Sequence, residues 1–386
     1  MGLRTRGDRM KEAFRRIYGG HPEGVWAAPG RVNLIGEHTD YNDGFALPIA
    51  IPQHTLVAAR RRRDGRLRLH SAQGGGPVID LHVAQLTPGA VTTWAAYPAG
   101  VVWALREAGH RLGGADLHID STVPAGAGLS SSAALECAVA FAYNDLYELN
   151  LSAPALALIC QRAENGFAGV PCGAMDQLAS ACCTAGAALH LDLRAGAHEQ
   201  VPFAPEAQGM SLLVVDTRVK HDLGDGAYAA LRTGCERAAR LLGLEALRDL
   251  APEDLSRAGK ALPAHLLPLV RHVVRENARV TDAVSQLRAG RPAALGPILT
   301  DGHASLRDDF RISCAESDLV VDTALAHGAL GARMTGGGFG GSVIVLAEEG
   351  RAEGISAAVT TAFRAAGYQV PHVFPITPAA GARRIA

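Results

Sequence analysis

Apolar positions along the chain switch between the two-residue period of strands and the longer period of helices. Strands are predicted where apolar residues alternate with polar ones, or run without interruption between turns. The predicted strands are residues 26–33 with their turn, 45–51, 117–123, 211–215 and 342–346. The predicted helices are residues 12–18, 94–108, a helix that starts at the serines of residues 130–132, 155–163, 227–242, 266–287, 294–308 and 318–327. This mixed order favours an α+β architecture over a regular doubly wound sheet.

A basic segment interrupts the pattern after the second strand. Residues 60–63 are four arginines, and the turn dipeptide Asp64-Gly65 follows them. We therefore expect a hairpin whose return strand ends near Ser71. A short basic strand is typical of a solvated sheet edge, which discourages pairing with other chains, rather than of a nucleic-acid surface.

The length of 386 residues is enough for two domains, because single cores stop growing below this size. Residues 192–202 turn polar and indicate a linker, so we expect domains at residues 1–195 and 196–386. Hydrophobic residues make up 48% of the chain, charged residues 19%, and the net charge is -1. This balance predicts a globular protein without a nucleic-acid partner.

The cysteines and the N-terminus bear on the compartment. The seven cysteines lack the spacing of a disulfide framework and lie mostly in apolar segments, which indicates reduced core thiols. Residues 1–16 are basic without an apolar stretch, and no apolar run is long enough to cross a membrane. We therefore expect a cytoplasmic protein with no membrane partner.

A glycine- and serine-rich turn follows the strand of residues 117–123. Residues 123–136 have the sequence VPAGAGLSSSAALE and join this strand to a helix. Glycines let a backbone approach an anion, and the free N–H groups of the helix start face the same turn. The turn predicts a phosphate site for a nucleotide; the alternative is a helix start with capping serines. It matches neither GxxxxGK[ST] nor the dinucleotide motif GxGxxG.

Two carboxylates lie near helix ends further along the chain. Glu164 shares one helix face with the apolar residues Leu156 and Cys160, so a buried charge there needs a partner. Its alternative role is a salt bridge at the helix end. Asp176 falls in the first turn of a helix over residues 174–181, where complementing the helix dipole is the alternative role.

Three segments together resemble known kinase motifs. The glycine- and serine-rich turn resembles the second motif of the galactokinase, homoserine kinase, mevalonate kinase and phosphomevalonate kinase superfamily. Residues 28–44, APGRVNLIGEHTDYNDG, are similar to the sugar-binding signature of galactokinases. Residues 333–341, RMTGGGFGG, are similar to the superfamily's third motif. Because the three occur in the family's order and spacing, the chain is identified as a member of the galactokinase family.

This resemblance implies a fold and an activity. The implied fold is α+β, with a sugar- and ATP-binding N-terminal domain that contains a left-handed β-α-β unit, and a ferredoxin-like C-terminal domain. The active site lies in the cleft between them. The implied reaction moves the γ-phosphoryl group of ATP to the anomeric hydroxyl of α-D-galactose, with Mg²⁺ as cofactor. Separately from the resemblance, we expect a monomer. The alternatives are a related N-acetylgalactosamine kinase and a galactose sensor without turnover, which the Ser132-Ala133 pair disfavours.

The resemblance also implies roles for individual residues. Asp176 is implied as the catalytic carboxylate, Arg31 as the cation beside it, and Ser132 and Glu164 as ligands of Mg²⁺. The residues implied to bind galactose are Glu37, His38, Thr39, Asp40, Gly173 and Tyr228. The residues implied to bind ATP are Ser71, Trp94, Gly126, Ala127, Gly128, Leu129, Ser130, Ser131 and Ser132.

Ordinary structural roles remain as alternatives for several of these residues. Arg31 is compatible with a turn, Tyr228 with a plain helix position, and Trp94 with a core position. The acidic and imidazole groups of the signature are compatible with a metal cluster, although no second histidine lies nearby in the sequence. The glycines of residues 336–341 are expected to let the second domain's backbone approach the site.

Overall fold

The computed structural model describes residues 2–219 and 226–386. The helices in these ranges are α1 (Leu3–Tyr18), α2 (Ala96–Glu107), α3 (Ser131–Leu146), α4 (Ala153–Ala163), α5 (Met175–Cys182), α6 (Ala227–Leu242), α7 (Leu255–Ala261), α8 (Leu267–Arg288), α9 (Leu295–Ser305), α10 (Ala315–Ala326) and α11 (Ala352–Ala365). The strands are β1 (Gly24–Asn33), β2 (Phe45–Ala46), β3 (Pro48–Arg62), β4 (Arg66–Ser71), β5 (Ile79–His82), β6 (Gly114–Ser121), β7 (Ala187–Asp192), β8 (Ala197–Pro202), β9 (Met210–Asp216), β10 (Gly331–Thr335), β11 (Ser342–Glu348), β12 (His372–Ile376) and β13 (Arg383–Arg384). The predicted α+β class is confirmed.

The first sheet carries the N-terminal core. Its strand order is β13-β1-β3-β6-β4-β5, and only the β4–β6 pair among these neighbours is parallel within the described residues. A parallel pair needs a crossover, which β5 and α2 provide here. Helix α3 packs on β1 and β3, α2 and α4 pack on α3, and α1 packs against β3 and β6. This packing fixes the end of β6, from which the glycine- and serine-rich turn leaves.

The predicted hairpin between β3 and β4 is wrong. The chain does turn at Asp64 and Gly65, and Gly65 has the positive φ of 72° that such a turn needs. However, β6 lies between the two strands, antiparallel to β3 and parallel to β4. Turn residues determine where the chain reverses, but packing of the crossover determines which strand becomes the neighbour.

The basic end of β3 is likewise inside the sheet rather than at its edge. Arg60, Arg62 and Arg68 surround the buried carboxylate of Asp116 on β6, with shortest N···O distances of 2.7, 3.1 and 3.5 Å. A buried carboxylate requires such partners, so these arginines neutralise a charge in the sheet. The predicted solvated edge strand is therefore wrong for this segment.

The second sheet carries the C-terminal core. Its order is β10-β11-β9-β12, and all its pairs are antiparallel. Helices α9 and α10 pack against β10, while α10 also contacts β11 and α11. The strands predicted at residues 211–215 and 342–346 are confirmed as β9 and β11, slightly extended at their ends.

A third sheet, in the order β2-β7-β8, packs against α8. It contains residues 192–202, so the predicted linker is wrong: these residues belong mainly to the β7–β8 hairpin. Its second strand exposes the polar residues His198 and Glu199, which give the segment the composition of a linker. The hairpin runs across the division at residues 195 and 196, and that domain boundary stays a prediction.

Helix boundaries follow local signals in two instructive cases. Ser152 caps α4 as predicted, since its hydroxyl accepts the backbone N–H of Ala155 at 3.4 Å. Helix α1 begins at Leu3 rather than residue 12, because Met10 and Phe14 form a narrow buried stripe in an otherwise basic segment. Among the described helices, none has both the length and the apolar character needed to cross a lipid bilayer.

Candidate active site

The glycine- and serine-rich turn lies between the end of β6 and the start of α3. Gly126 and Gly128 have positive φ angles of 76° and 71°, which a glycine adopts without steric cost. Helix α3 begins at Ser131, so its first backbone N–H groups face this turn. The predicted strand, turn and helix are confirmed, and the arrangement suits an anion at the helix start.

Arg31 connects this turn to Asp176. The arginine lies in β1, at a register shift between Pro29 and Arg31, and it is almost fully buried. Its Nε and Nη2 donate to Oδ1 and Oδ2 of Asp176 at 2.8 and 2.7 Å. Its Nη1 donates to the carbonyl of Gly128 at 2.7 Å, so one guanidinium binds both the carboxylate and the glycine- and serine-rich turn.

Gly30 makes this close approach possible. A Cβ at this position would lie 2.6 Å from the carbonyl oxygen of Leu129 and 2.8 Å from Cγ1 of Val123. The backbone N–H of Arg31 donates to that same Leu129 carbonyl at 3.1 Å. The glycine before the arginine therefore sets the distance between β1 and the turn.

Asp176 lies in the first turn of α5, as predicted. Its side chain keeps 26% of its surface exposed, although Arg31 holds both oxygens and the Ser130 hydroxyl donates to Oδ2 at 2.5 Å. The carboxylate is thus fixed on one side and open on the other, which suits a group that receives a substrate hydroxyl.

The signature loop, residues 34–44 after β1, places Glu37 in a buried network of hydrogen bonds and ion pairs. Glu37 is 1% exposed, and its Oε1 accepts the backbone N–H of Gly336 at 3.1 Å. Its Oε2 lies 2.5 Å from Nη2 of Arg333, which also lies 3.1 Å from Oε1 of Glu276. Burial raises the pKa of Glu37 to about 7, although the charge of Arg333 opposes this shift. Glu37 therefore lies where the signature loop, α8 and the third motif meet.

Glu276 on α8 shows the opposite balance. Burial alone would raise its pKa, but the charges of Arg333 and Arg279 outweigh burial and lower it to about 2. Its Oε1 accepts the backbone N–H of Gly36 at 2.9 Å, and Arg279 pairs with its Oε2 at 2.7 Å. The ionised Glu276 therefore binds the signature loop through the backbone N–H of Gly36.

His38 lies among three aromatic rings. Its ring centroid is 5.7 Å from Tyr41, 5.1 Å from Tyr228 and 4.8 Å from Phe310. Its Nδ1 lies 2.7 Å from the Tyr41 hydroxyl, and its Nε2 lies 3.2 Å from the carbonyl of Gly337. The structure thus brings Tyr228 of α6 to the signature loop.

Asp40 approaches both Asp176 and Gly173. A Cβ at Gly173 would lie 1.8 Å from Oδ2 of Asp40, so only glycine leaves room for this carboxylate. Burial, and then the charge of Asp176, raise the pKa of Asp40 to about 6. Two carboxylates and a bare backbone segment therefore line one small region.

Thr39 occupies the turn of the signature loop. Its hydroxyl contacts the carbonyls of Gly36 at 2.9 Å and Phe45 at 2.6 Å, and the residue is fully buried. This contact pattern closes the loop on itself.

Glu164 lies where α4 changes into the wider π turn Glu164–Ala168, and it is almost fully buried. Burial raises its pKa to about 7, while a hydrogen bond from Ser132 lowers it. Gln177 donates to its Oε2 at 2.6 Å through Nε2. Glu136 lies beside it, and burial together with the charge of Glu164 raises the pKa of Glu136 well above its ordinary value.

These groups fit a magnesium ion that is held largely by phosphates. No cluster of three or more His, Cys, Asp or Glu side chains suited to a metal occurs in residues 2–219 and 226–386. Mg²⁺ needs only one or two protein oxygens beside phosphates and waters, and Ser132 and Glu164 supply hard oxygen donors at the helix start.

The third motif packs against the other two. A Cβ on Gly336 would lie 3.0 Å from the carbonyl oxygen of Gly128, and one on Gly341 would lie 3.3 Å from that of Ala127. Ser342 donates to the same Ala127 carbonyl at 2.7 Å. The expected close approach of the second domain's backbone is therefore present.

Ser71 and Trp94, the other two residues predicted to bind ATP, lie in the N-terminal half of the fold. Ser71 ends β4 and pairs with Ile119 of β6, whereas Trp94 precedes α2 and packs partly buried against the N-terminal core. In the part of the chain that the structure describes, no hydrogen bond connects either side chain to residues 126–132.

Three family models match this chain. The galactokinase galactose-binding signature matches residues 12–61, the N-terminal domain of the GHMP kinases matches residues 96–184, and their C-terminal domain matches residues 283–365. The galactokinase of Streptomyces coelicolor (strain ATCC BAA-471 / A3(2) / M145) is 60% identical over 376 residues, which cover 97% of each chain. The chain belongs to the galactokinase family.

Solved structures agree with this assignment. A Lactococcus lactis galactokinase complexed with galactose has a TM-score of 0.94 and 30% identity, and the match covers 98% of this chain and 99% of that one. The Methanococcus jannaschii mevalonate kinase, at 17% identity and a TM-score of 0.64, covers 94% of this chain and 98% of its own, and shares the fold. The predicted two-domain kinase fold is confirmed.

Sequence reasoning missed three residues that contact the predicted site residues, and it missed the contact of Ser130, predicted to bind ATP, with Asp176. Arg333 and Glu276 form the buried network, Gln177 holds Glu164, and Ser130 donates to Asp176. Arg333 opens the third motif and Gln177 follows Asp176, so their positions gave a signal. Glu276 lies in a helix without any recognised motif, and only the fold reveals it.

Proposed function

We propose that this chain transfers the γ-phosphoryl group of ATP to the anomeric hydroxyl of α-D-galactose, giving α-D-galactose 1-phosphate and ADP, with Asp176 and Arg31 at the reaction centre. One observation supports this role above the others. The Asp176 carboxylate is held by an arginine that also donates to the glycine- and serine-rich turn, and its charge acts on Asp40 of the signature loop. A sugar hydroxyl between a carboxylate and a phosphate turn is the arrangement that phosphoryl transfer requires.

The proposed mechanism relies on positioning and charge. Asp176 accepts a hydrogen bond from the anomeric hydroxyl and takes up its proton as the oxygen bonds to the γ-phosphorus and ADP leaves. Arg31 neutralises charge that develops between the carboxylate and the phosphoryl group. The N–H groups at the start of α3 and the turn of residues 126–132 hold the phosphates.

The sugar site is proposed to comprise Glu37, His38, Asp40, Tyr228 and the backbone at Gly173. Buried polar groups reject an epimer, because a misplaced hydroxyl leaves them unpaired. The burial of Glu37 and His38 and the partial burial of Asp40 and Tyr228 support this role. Thr39 is proposed to keep the loop closed around the sugar, since its hydroxyl lies against two backbone carbonyls of that loop.

We propose that Ser132 and Glu164 hold Mg²⁺ with the nucleotide. When bound, the ion neutralises phosphate charge and orients the γ-phosphoryl group. Gln177 donates to the Glu164 carboxylate, and Glu136, whose pKa burial raises well above its ordinary value, lies beside it. Glu164 therefore presents its oxygens to the helix start rather than to solvent.

Ser71 and Trp94 are proposed to line the adenine end of the nucleotide site, because β4 runs parallel to the strand that leads into the turn. We further propose a cytoplasmic monomer with the sugar- and ATP-binding half at residues 1–195. The seven cysteines lack the spacing of a disulfide framework, which supports a reducing compartment.

A substrate panel tests the activity. ADP release should be measured with galactose, glucose, talose, N-acetylgalactosamine and mevalonate as acceptors. We expect kcat/KM for galactose to exceed that for glucose by at least ~100-fold, about 2.7 kcal/mol of transition-state discrimination. Comparable rates on glucose would contradict a galactose-selective site, and preference for N-acetylgalactosamine would reassign the substrate.

A magnesium titration tests the metal site. Glu164→Gln should raise the Mg²⁺ concentration that gives half-maximal activity, because an amide is a weaker ligand for a hard cation. Glu107→Gln is the matched control, since Glu107 makes only an exposed helix-end contact with Arg162 at 3.9 Å. Equal titrations for both variants would assign Glu164 a purely structural role.

A further inference from the structure

Ser130 has a backbone conformation that disfavours serine. It precedes α3 with φ 56° and ψ 49°, in the left-handed region where a Cβ is crowded and glycine is preferred. A capping serine adopts an extended conformation and accepts an N–H of its own helix. The Ser130 hydroxyl makes no such cap bond. Neither helix capping nor backbone preference therefore accounts for a serine at this position.

The hydroxyl of Ser130 instead reaches across to α5. Its Oγ donates to Oδ2 of Asp176 at 2.5 Å, and Ser130 itself is 8% exposed. Arg31 donates to Oδ1 and Oδ2 of the same carboxylate. A carboxylate has about four lone-pair sites, and these three donors occupy all but one of them.

We propose that Ser130 is a positioning residue for phosphoryl transfer. Its hydroxyl, presented by a left-handed backbone, locks the Asp176 carboxylate so that the remaining lone pair faces the open side of the cleft. Glycine would suit the backbone better but carries no donor. The chain thus keeps a strained residue because the strain places a hydroxyl between the phosphate turn and the catalytic carboxylate. This inference rests on the proposed role of Asp176.

Ser130→Gly separates the two effects of this residue. Because glycine relieves the left-handed strain, we expect Tm to rise by about 1–3 °C. Because the donor is lost, we expect kcat to fall by about 10- to 100-fold, while KM for ATP and for galactose stays within about threefold. A purely structural serine would change stability and activity in the same direction.

Two further variants complete the test. Ser130→Ala removes the hydroxyl but keeps the backbone restricted, so kcat should fall as in the glycine variant without a rise in Tm. Glu148→Gly is the matched control, because Glu148 lies just after the far end of α3 with φ 53° and is exposed. It should gain stability without any change in kcat.

The outcomes distinguish this inference from the proposed function. If the unmodified enzyme makes no galactose 1-phosphate, the proposed function fails. If the unmodified enzyme is active and Ser130→Gly keeps kcat within twofold, only the positioning role is overturned. A rise in KM for ATP with unchanged kcat would assign the Ser130 hydroxyl to phosphate binding, and loss in Ser130→Gly without loss in Ser130→Ala would assign the effect to backbone freedom.

Discussion

Two arginine–carboxylate pairs lie close together in this molecule and differ in one respect. Arg31 and Asp176 form a bidentate pair whose carboxylate keeps 26% of its surface exposed. Arg333 and Glu37 form a pair of which at most 1% is exposed. We expect the partly exposed pair to receive a substrate hydroxyl, whereas the buried pair also fixes the signature loop against the third motif. Exposure on one side, more than pairing, therefore distinguishes the carboxylate placed for proton transfer from the one whose contacts also hold the chain together.

Removal of the open carboxylate should have the largest effect. Asp176→Ala should lower kcat by about 10⁴-fold, because the substrate hydroxyl loses its acceptor while the turn of residues 126–132 still binds ATP. Single-turnover kinetics and ATP binding should both be measured. Glu353→Ala, in the exposed first turn of α11, controls for loss of a helix-dipole charge alone. Substantial turnover by Asp176→Ala would remove this residue from the chemistry.

Removal of Arg333, the cation of the buried pair, should instead destabilise the fold. Arg333→Met leaves Glu37 and Glu276 buried without their shared cation, which should lower the free energy of unfolding by about 3–5 kcal/mol. Arg288→Met removes an exposed pair with Glu199 and should change stability little. Denaturant titrations of both variants would compare them directly. Equal stabilities would show that the buried network is dispensable.

The close contact between Gly173 and Asp40, beside the Arg31–Asp176 pair, can also be tested by mutation. In Gly173→Ala the new Cβ meets the Asp40 carboxylate, which must move, so kcat/KM for galactose should fall by about 10- to 100-fold. Gly354→Ala adds a methyl group to open space on α11 and should leave kcat/KM for galactose unchanged. Steady-state kinetics and Tm should both be measured. A fall in kcat/KM for galactose without a change in Tm would support displacement of Asp40. An unaffected galactose KM and kcat would mean that Asp40 does not contact the sugar.

Protonation of Asp40 should have the smallest effect. Burial and the charge of Asp176 raise its pKa to about 6, so KM for galactose should rise, by up to about tenfold per pH unit, below pH 6. The sign for folding is opposite: the native state holds this proton more tightly, so the stabilising contribution is complete below pH ~4 and lost as pH rises through ~6. Measurements of KM for galactose from pH 5 to 7.5 should show this rise at low pH in the unmodified enzyme and a smaller rise in Asp40→Asn. A flat profile in both would contradict ionisation of Asp40 as a requirement for sugar binding.

Sequence patterns predicted the elements around the site because strand, turn and helix signals are local. The glycine- and serine-rich turn and the first-turn position of Asp176 both follow from short segments. The position of β6 between β3 and β4 could not be predicted, because it depends on the packing of a crossover. The Arg333–Glu276 contact joins two segments far apart in sequence, and only one of them carries a motif.

The contact between β1 and β10 has a consequence for the time course of folding. The backbone N–H of Asn33 donates to the Thr335 hydroxyl at 2.9 Å, and the two residues are 302 positions apart. Closing such a long loop opposes folding entropically, and contacts of high sequence separation are typical of slow folding. The signature loop and the third motif meet only after this closure. Catalytic activity should therefore be among the last properties regained during refolding, well after the circular dichroism signal of the helices has recovered.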